Sequence, residues 1–245
     1  LGRIAKTLVI IFALVLPAQT PALDELKVYV NGTRISFPDQ APYINSEGRT
    51  MVPVRFVSQA LGAAVDWNEQ GKTVNIRQGS KDITLRIGEK KARVEANDVA
   101  LDAAAALTNN RTMVPLRFVS ECLGAGVEWK EAKREIHIFT AAYASDAACI
   151  TSDLQLMTPL PGNNPNDVNL IACISYEYNT PVEPQIADLR KLLEKRFGEK
   201  AEPVMAYVSA KKDTITMLLT RDWYIDGKHI RVDDSVGYVT VTIWN

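Results

Sequence analysis

Histidine, cysteine and aromatic residues are scarce in this chain, and each shortage excludes something. The two histidines, His137 and His229, form no His-x-His or His-Glu-x-x-His spacing, so no metal-enzyme signature is present. Three cysteines among 245 residues are too few to staple a small core, and thirteen glycines with twelve prolines are too few for a collagen-like filament. With 47% apolar residues, the fold must rest on buried apolar surface. Gly-x-Ser-x-Gly elbows, Cys/His nucleophile arrangements and phosphate-cradling glycine loops are also missing. A formal charge of −1 leaves no cationic excess for phosphate, which excludes nucleic acid as a partner.

The apolar run Leu8 to Leu16 falls well short of the about 20 residues that span a membrane. Arg3 and Lys6 precede it and small residues ending at Ala22 follow, so residues 1–22 are expected to form a secretory signal peptide and the mature protein to lie outside the cytoplasm, without a permanent membrane span. Without that segment, 28 basic residues less Arg3 and Lys6 face 29 acidic ones, about −3.

An internal repeat organises the first half. Thr50-Met-Val-Pro-Val-Arg-Phe-Val-Ser-Gln-Ala-Leu-Gly-Ala-Ala-Val-Asp-Trp67 returns as Thr112-Met-Val-Pro-Leu-Arg-Phe-Val-Ser-Glu-Cys-Leu-Gly-Ala-Gly-Val-Glu-Trp129, with 13 of 18 positions identical. Upstream of each copy lies a hairpin pattern, with turns expected at Asn31-Gly32 and at Asn97-Asp98. Pro53 and Pro115 suit a strand-to-helix junction. Val57, Ala60 and Leu61 then form an apolar helical stripe, with Arg55, Ser58 and Gln59 opposite, and Gly62 or Gly124 ends the helix before an alternating strand through Trp67 or Trp129. Each half-repeat, about 26–79 and 83–140, therefore reads as hairpin, helix and strands. Arg55 and Arg117 recur at one position of the repeat and could bind an anionic wall polymer, but the stronger reading is structural: Arg117 and Glu121, four apart on one helical face, are expected to form an ion pair, with Asp66 or Glu128 as further partners.

On these residues, together with the Leu85-Arg-Ile-Gly88 strand between the copies, the segment 26–140 resembles the copper amine oxidase N-terminal-like, or stalk, domain of secreted and cell-surface proteins. The resemblance implies a small antiparallel sheet wrapped on a helix in each half and an accessory role. It does not carry copper chemistry with it: the histidine cluster for copper and the Asn-Tyr-Asp/Glu context of a tyrosine-derived quinone are missing, so no cofactor, no metal and no amine oxidation are expected.

Residues 141–166, rich in alanine, proline and asparagine, read as a linker. Asp167 with its neighbouring asparagines lacks the spacing of a calcium loop. Residues 167–245 read as a small α+β domain: a strand carrying Leu170, Ala172 and Ile174 on one face, a helix from about Pro184 to Phe197 that exposes Asp188, a strand over Val204 to Ser209, and strands from Thr214 onward joined by an Asp226-Gly227 hairpin. A two-residue turn there sets Ile225 opposite Lys228, Tyr224 opposite His229, Trp223 opposite Ile230 and Asp222 opposite Arg231. Trp223 would face the core with Ile215, Met217 and Leu219. Tyr224, His229, Arg231, Tyr238 and Trp244 would share the other face and are the ligand-binding candidates. Asp226, Asp233 and Asp234 fit turn chemistry better than catalysis. Cys149 and Cys173 could pair in an oxidising compartment.

The expectation is thus an α+β, non-enzymatic envelope protein: a stalk-like module displaying a small binding domain for cell-wall polysaccharide, peptidoglycan or an envelope protein. Two alternatives stand beside it, a wall-directed hydrolase with its active site in the C-terminal domain and a structural or oligomer-forming role.

Overall fold

The computed structural model of the protein describes residues 25–159, 168–177, 180–211 and 218–245. The expected signal peptide, Asp167 and the inward positions Ile215 and Met217 lie outside the described residues.

The first part runs β1 (Lys27–Val30), β2 (Thr33–Arg34), β3 (Tyr43–Ile44), β4 (Thr50–Pro53), α1 (Val54–Ala60), β5 (Ala64–Asn68), β6 (Thr73–Gln78), β7 (Lys81–Arg86), β8 (Lys91–Val94), β9 (Asn97–Ala100), β10 (Ala106–Thr108), β11 (Arg111–Pro115), α2 (Leu116–Cys122), β12 (Ala125–Lys130) and β13 (Glu135–Thr140). Each helix starts at the residue after its proline and ends at Leu61 or Leu123, where Gly62 or Gly124 takes a positive φ. The two repeat copies meet at β4 and β11, which pair antiparallel with Val52 opposite Val114, Met51 opposite Pro115 and Pro53 opposite Met113. This register is its own image when the copies are exchanged, so the halves are related by a pseudo-twofold axis at the Val52–Val114 pair.

Around that axis the sheets draw strands from both halves. One has the order β12-β13-β1-β2, so the first hairpin completes the exit strands of the second copy; another, β5-β6-β7-β8-β9, joins the exit strands of the first copy to the second hairpin. This corrects the expectation of one sheet and one helix per half. It also brings β1 parallel to β13, where antiparallel pairing was expected, because no chain reversal connects them. An apolar core shared by both halves results, running from Val28 and Val30 through Val57 and Val119 to Ile83 and Leu85, with Met51, Ala103 and Met113 in a separate small cluster. Ser58, expected on the polar face, and its counterpart Ser120 are fully buried, since α1 meets β4, β5, β11 and α2. The second hairpin turns at Glu95-Ala96 rather than at Asn97-Asp98: Val94 pairs with Asn97, which opens β9.

The second part comprises α3 (Ala141–Ala147), β14 (Gln155–Met157), β15 (Val168–Ser175), α4 (Val182–Phe197), α5 (Glu202–Val208), β16 (Arg221–Ile225), β17 (Lys228–Ser235) and β18 (Tyr238–Trp244), with an antiparallel sheet of order β14-β15-β18-β17-β16. The expected strand at Val204 is the helix α5: Pro203 stands in its first turn, and Val204, Met205 and Val208 are buried with helical spacing. The stretch expected as linker supplies α3 and the edge strand β14. α4 and α5 cover one face of the sheet, burying Leu189, Leu192 and Leu193 in one core with Ile230, Val232 and Val241.

One polar device ties the parts together and another braces the second part from within. The Asn31-Gly32 turn meets the segment after β14: Thr158 donates its N–H to the Asn31 carbonyl at 3.0 Å, and Thr33 Oγ1 donates to the Thr158 carbonyl at 2.6 Å. Gly32, at φ +78°, is needed there, because a Cβ would sit 2.1 Å from the Leu156 carbonyl oxygen. The second device is Asp188 on α4, expected to be exposed but in fact 1% exposed. It accepts hydrogen bonds from Thr151 N (2.6 Å), Ser152 N (2.7 Å) and Lys191 Nζ (2.9 Å). Burial alone would raise its pKa, but these donors overcome it and hold the carboxyl well below the usual aspartate value.

Asp188→Ala is therefore expected to cost about 3 kcal/mol in urea unfolding at neutral pH, since it strands buried donors. Because the folded-state pKa is depressed, the wild-type advantage is complete above the unfolded aspartate value of about 4 and shrinks as pH falls below it; a pH series of unfolding midpoints for both proteins checks the sign.

Candidate functional site

The face of the second sheet turned away from α4 and α5 carries the residues singled out in the sequence. The hairpin register is the expected one: Ile225 pairs with Lys228, Tyr224 with His229, Trp223 with Ile230 and Asp222 with Arg231. Alternation then turns Ile230, Val232, Val239, Val241 and Ile243 into the core and Tyr224, His229, Arg231, Tyr238 and Trp244 outward. Trp223 goes to the helix side, edge-on to Tyr207 at 5.4 Å between ring centroids. Leu219, expected inward, is 82% exposed just ahead of β16.

Three of the candidates form a continuous stack across the strands. His229 lies between Tyr224, at 4.8 Å and 11°, and Trp244, at 4.4 Å and 22°. Asp222 fixes the stack from the side, with Oδ1 2.6 Å from His229 Nε2 and 2.8 Å from Arg231 Nε. The hydrogen bonds from Arg231 and then His229 lower the Asp222 pKa, and the same carboxylate raises that of Arg231. Arg231 also lies 5.9 Å from the Trp244 ring centre. The inner ring faces cover one another, so a ligand meets the outer face of Tyr224, which is 78% exposed, and the ring edges. Tyr238 stands at the other end of the face and donates its hydroxyl to Glu177, which raises the tyrosine pKa.

Sequence reasoning missed the floor of this face. Ile171 and Cys173 pair with Thr242 and Thr240 and turn the same way, and β14 extends the floor with Met157. The alternation of Leu154 and Leu156 with polar Gln155 was the available signal for β14. The three aspartates separate: Asp226 occupies the hairpin turn and pairs with Lys200, Asp233 accepts from Thr220 at 2.9 Å, and Asp234 is buried with Lys211 at 2.7 Å. The pairing of Cys149 with Cys173 that the sequence left open is not formed: all three cysteines are free, with Cys173 on the open sheet face and Cys149 just after α3. Among the described residues, no three His, Cys, Asp or Glu side chains are grouped to hold a metal ion.

In the first part, Arg117 does not pair with Glu121, and Asp66 pairs with Arg77 across β5 and β6. Trp67 and Trp129 have matching surroundings, each donating its indole N–H to the glutamate two residues on, Glu69 at 2.6 Å and Glu131. Residues 29–138 match the model of the copper amine oxidase N-terminal domain family. The candidate sheet face, at residues 222–244, lies outside this domain. A protein of Brevibacillus choshinensis named "Protease inhibitor" is 33% identical over 114 residues, which cover 46% of this chain. The match spans about a third of that relative, 34% of its length. Among the described residues, no helix is long and apolar enough to cross a membrane.

Removing the middle ring tests the stack. His229→Ala is expected to lower stability by roughly 1 kcal/mol and to weaken the near-ultraviolet circular dichroism of Tyr224 and Trp244, which lose their shared neighbour.

Proposed function

We propose that the chain is an exported, non-enzymatic accessory protein of the bacterial cell envelope. In this reading residues 1–22 direct export, residues 23–140 form a stalk-like support built on the copper amine oxidase N-terminal domain, and residues 167–245 present a binding surface, with residues 141–166 joining the two. The ligand is a wall polysaccharide, peptidoglycan or an envelope protein, and no cofactor takes part. The observation that carries the reading is the Tyr224–His229–Trp244 stack on an open sheet face, flanked by Arg231 and Asp222. Stacked rings are already ordered, so little side-chain entropy is lost on contact, while the arginine and the threonines beside them offer hydrogen bonds. The separate surroundings of Asp226, Asp233 and Asp234 favour this over a glycoside hydrolase, which would need two carboxylates facing one cleft. The relative's name is a property of that protein; carried over to this chain, it favours a protein over a polymer as the partner.

Co-sedimentation of the purified chain with peptidoglycan and wall polysaccharide, and pull-down of envelope proteins, test this. Retention on one of these ligands is expected, with Tyr224→Ala and Trp244→Ala each weakening it about tenfold, roughly the loss of one well-packed aromatic contact. Unchanged retention of both variants on every ligand would overturn the reading.

A further inference from the structure

The pseudo-twofold builds the same groove twice, and each groove takes one wall from each half of the repeat. The first, about 340 Å³, sets Val65, Trp67 and Arg55 against Leu107, Asn110 and Thr112. The second, about 350 Å³, sets Val127, Trp129 and Arg117 against Ile44, Gly48 and Thr50. Most of the lining corresponds through the repeat, Arg55 with Arg117, Val65 with Val127, Trp67 with Trp129 and Thr112 with Thr50, while Leu107 and Ile44 are neighbouring rather than equivalent positions. Their walls are braced by crossed ion pairs, Arg49 with Asp102 at 3.3 Å and Arg111 with Asp39, each joining one half to the other.

Three features mark these grooves as binding sites. Large apolar side chains stay uncovered in them: Leu107 is 53%, Ile44 48% and Trp129 38% exposed. Arg55 and Arg117 are exposed, recur at the same position of both copies, and have no ion pair or hydrogen bond among the described residues. In the first groove Arg111 is already paired with Asp39 and in the second Arg49 with Asp102, so among the described residues Arg55 and Arg117 are the cations that stand there without such a partner. Glu69 and Glu131 already accept a hydrogen bond from their tryptophan. Walls of Val54, Val65, Val74 and Leu107 suit an aliphatic side chain better than a hydroxylated sugar ring. The grooves also lie beside β5 and β12, each the edge strand of its sheet, where an extended backbone can run.

We propose that each groove takes an extended peptide segment of a partner protein. An aliphatic side chain rests against Trp67 or Trp129, and a neighbouring carboxylate, from an acidic side chain or a chain end, pairs with Arg55 or Arg117. Two equivalent sites make the domain bivalent.

Isothermal titration of the full chain with short synthetic peptides tests this. The probes are an acetylated and amidated peptide alternating leucine with glutamate, the same peptide with glutamine for glutamate, and the glutamine peptide with a free carboxyl terminus. The expected result is two sites per chain for a carboxylate-bearing peptide and at least about tenfold weaker binding of the neutral one, the scale of a charge-assisted hydrogen bond. Which charged peptide binds tells the side-chain source from the chain-end source. Arg55→Gln and Arg117→Gln should each remove one site with unchanged circular dichroism, while Tyr224→Ala with Trp244→Ala should keep both, which separates this site from the sheet face of the second part. Equal affinity for charged and neutral peptides, no binding of either charged peptide, two intact sites in the Arg55→Gln and Arg117→Gln double variant, or binding of an anionic wall polymer in place of peptide would each overturn it.

Discussion

The antiparallel pairing of β4 with β11 is the constraint on which the rest of the first part depends. Its symmetric register about Val52 and Val114 places the two repeat copies back to back. Everything downstream of each strand is then duplicated: a seven-residue helix, a glycine exit and a strand through tryptophan. Neither copy closes its own sheet. Strands β1 and β2 serve the second copy, and β8 and β9 serve the first through β7. Exchanged hairpins turn two thin layers into one core, so the apolar face of each half is shielded by the other.

The same symmetry generates the twin grooves. A groove made by one half alone would appear once per copy on any arrangement of the copies; these need the opposite half for one wall, so they exist only because of the β4–β11 register. The first hairpin has a further task, since its Asn31-Gly32 turn meets the chain at Leu156 and Thr158, next to the edge strand of the second sheet. One short turn thus links the duplicated domain to the sheet that carries the aromatic stack.

Local chemistry was legible in the sequence, and long-range exchange was not. The repeat, the proline-started helices and the glycine stops follow from backbone preferences that act within a few residues. The Tyr224–His229 register followed from a two-residue Asp-Gly turn, and strict alternation then gathered the face residues of β17 and β18. Which hairpin completes which sheet depends on contacts more than a hundred residues apart, as between Val28 and Ile136, and no local pattern encodes that. The helix α5 was misread because Val204, Met205 and Val208 also fit a short strand, and Pro203 was the deciding residue. Ser58 and Asp188 were placed outside by their polarity. Ser58 is enclosed because its helix is covered on several sides, and Asp188 because Thr151, Ser152 and Lys191 supply its hydrogen bonds.

Native-state hydrogen exchange of the full chain across a denaturant series tests the shared core most directly. If the exchanged hairpins bind the halves into one unit, the amides of Val28, Val30, Val74, Ile76, Ile136 and Ile138 should converge on one opening free energy. Loss of protection in the strands of one copy while those of the other stay closed would contradict the account.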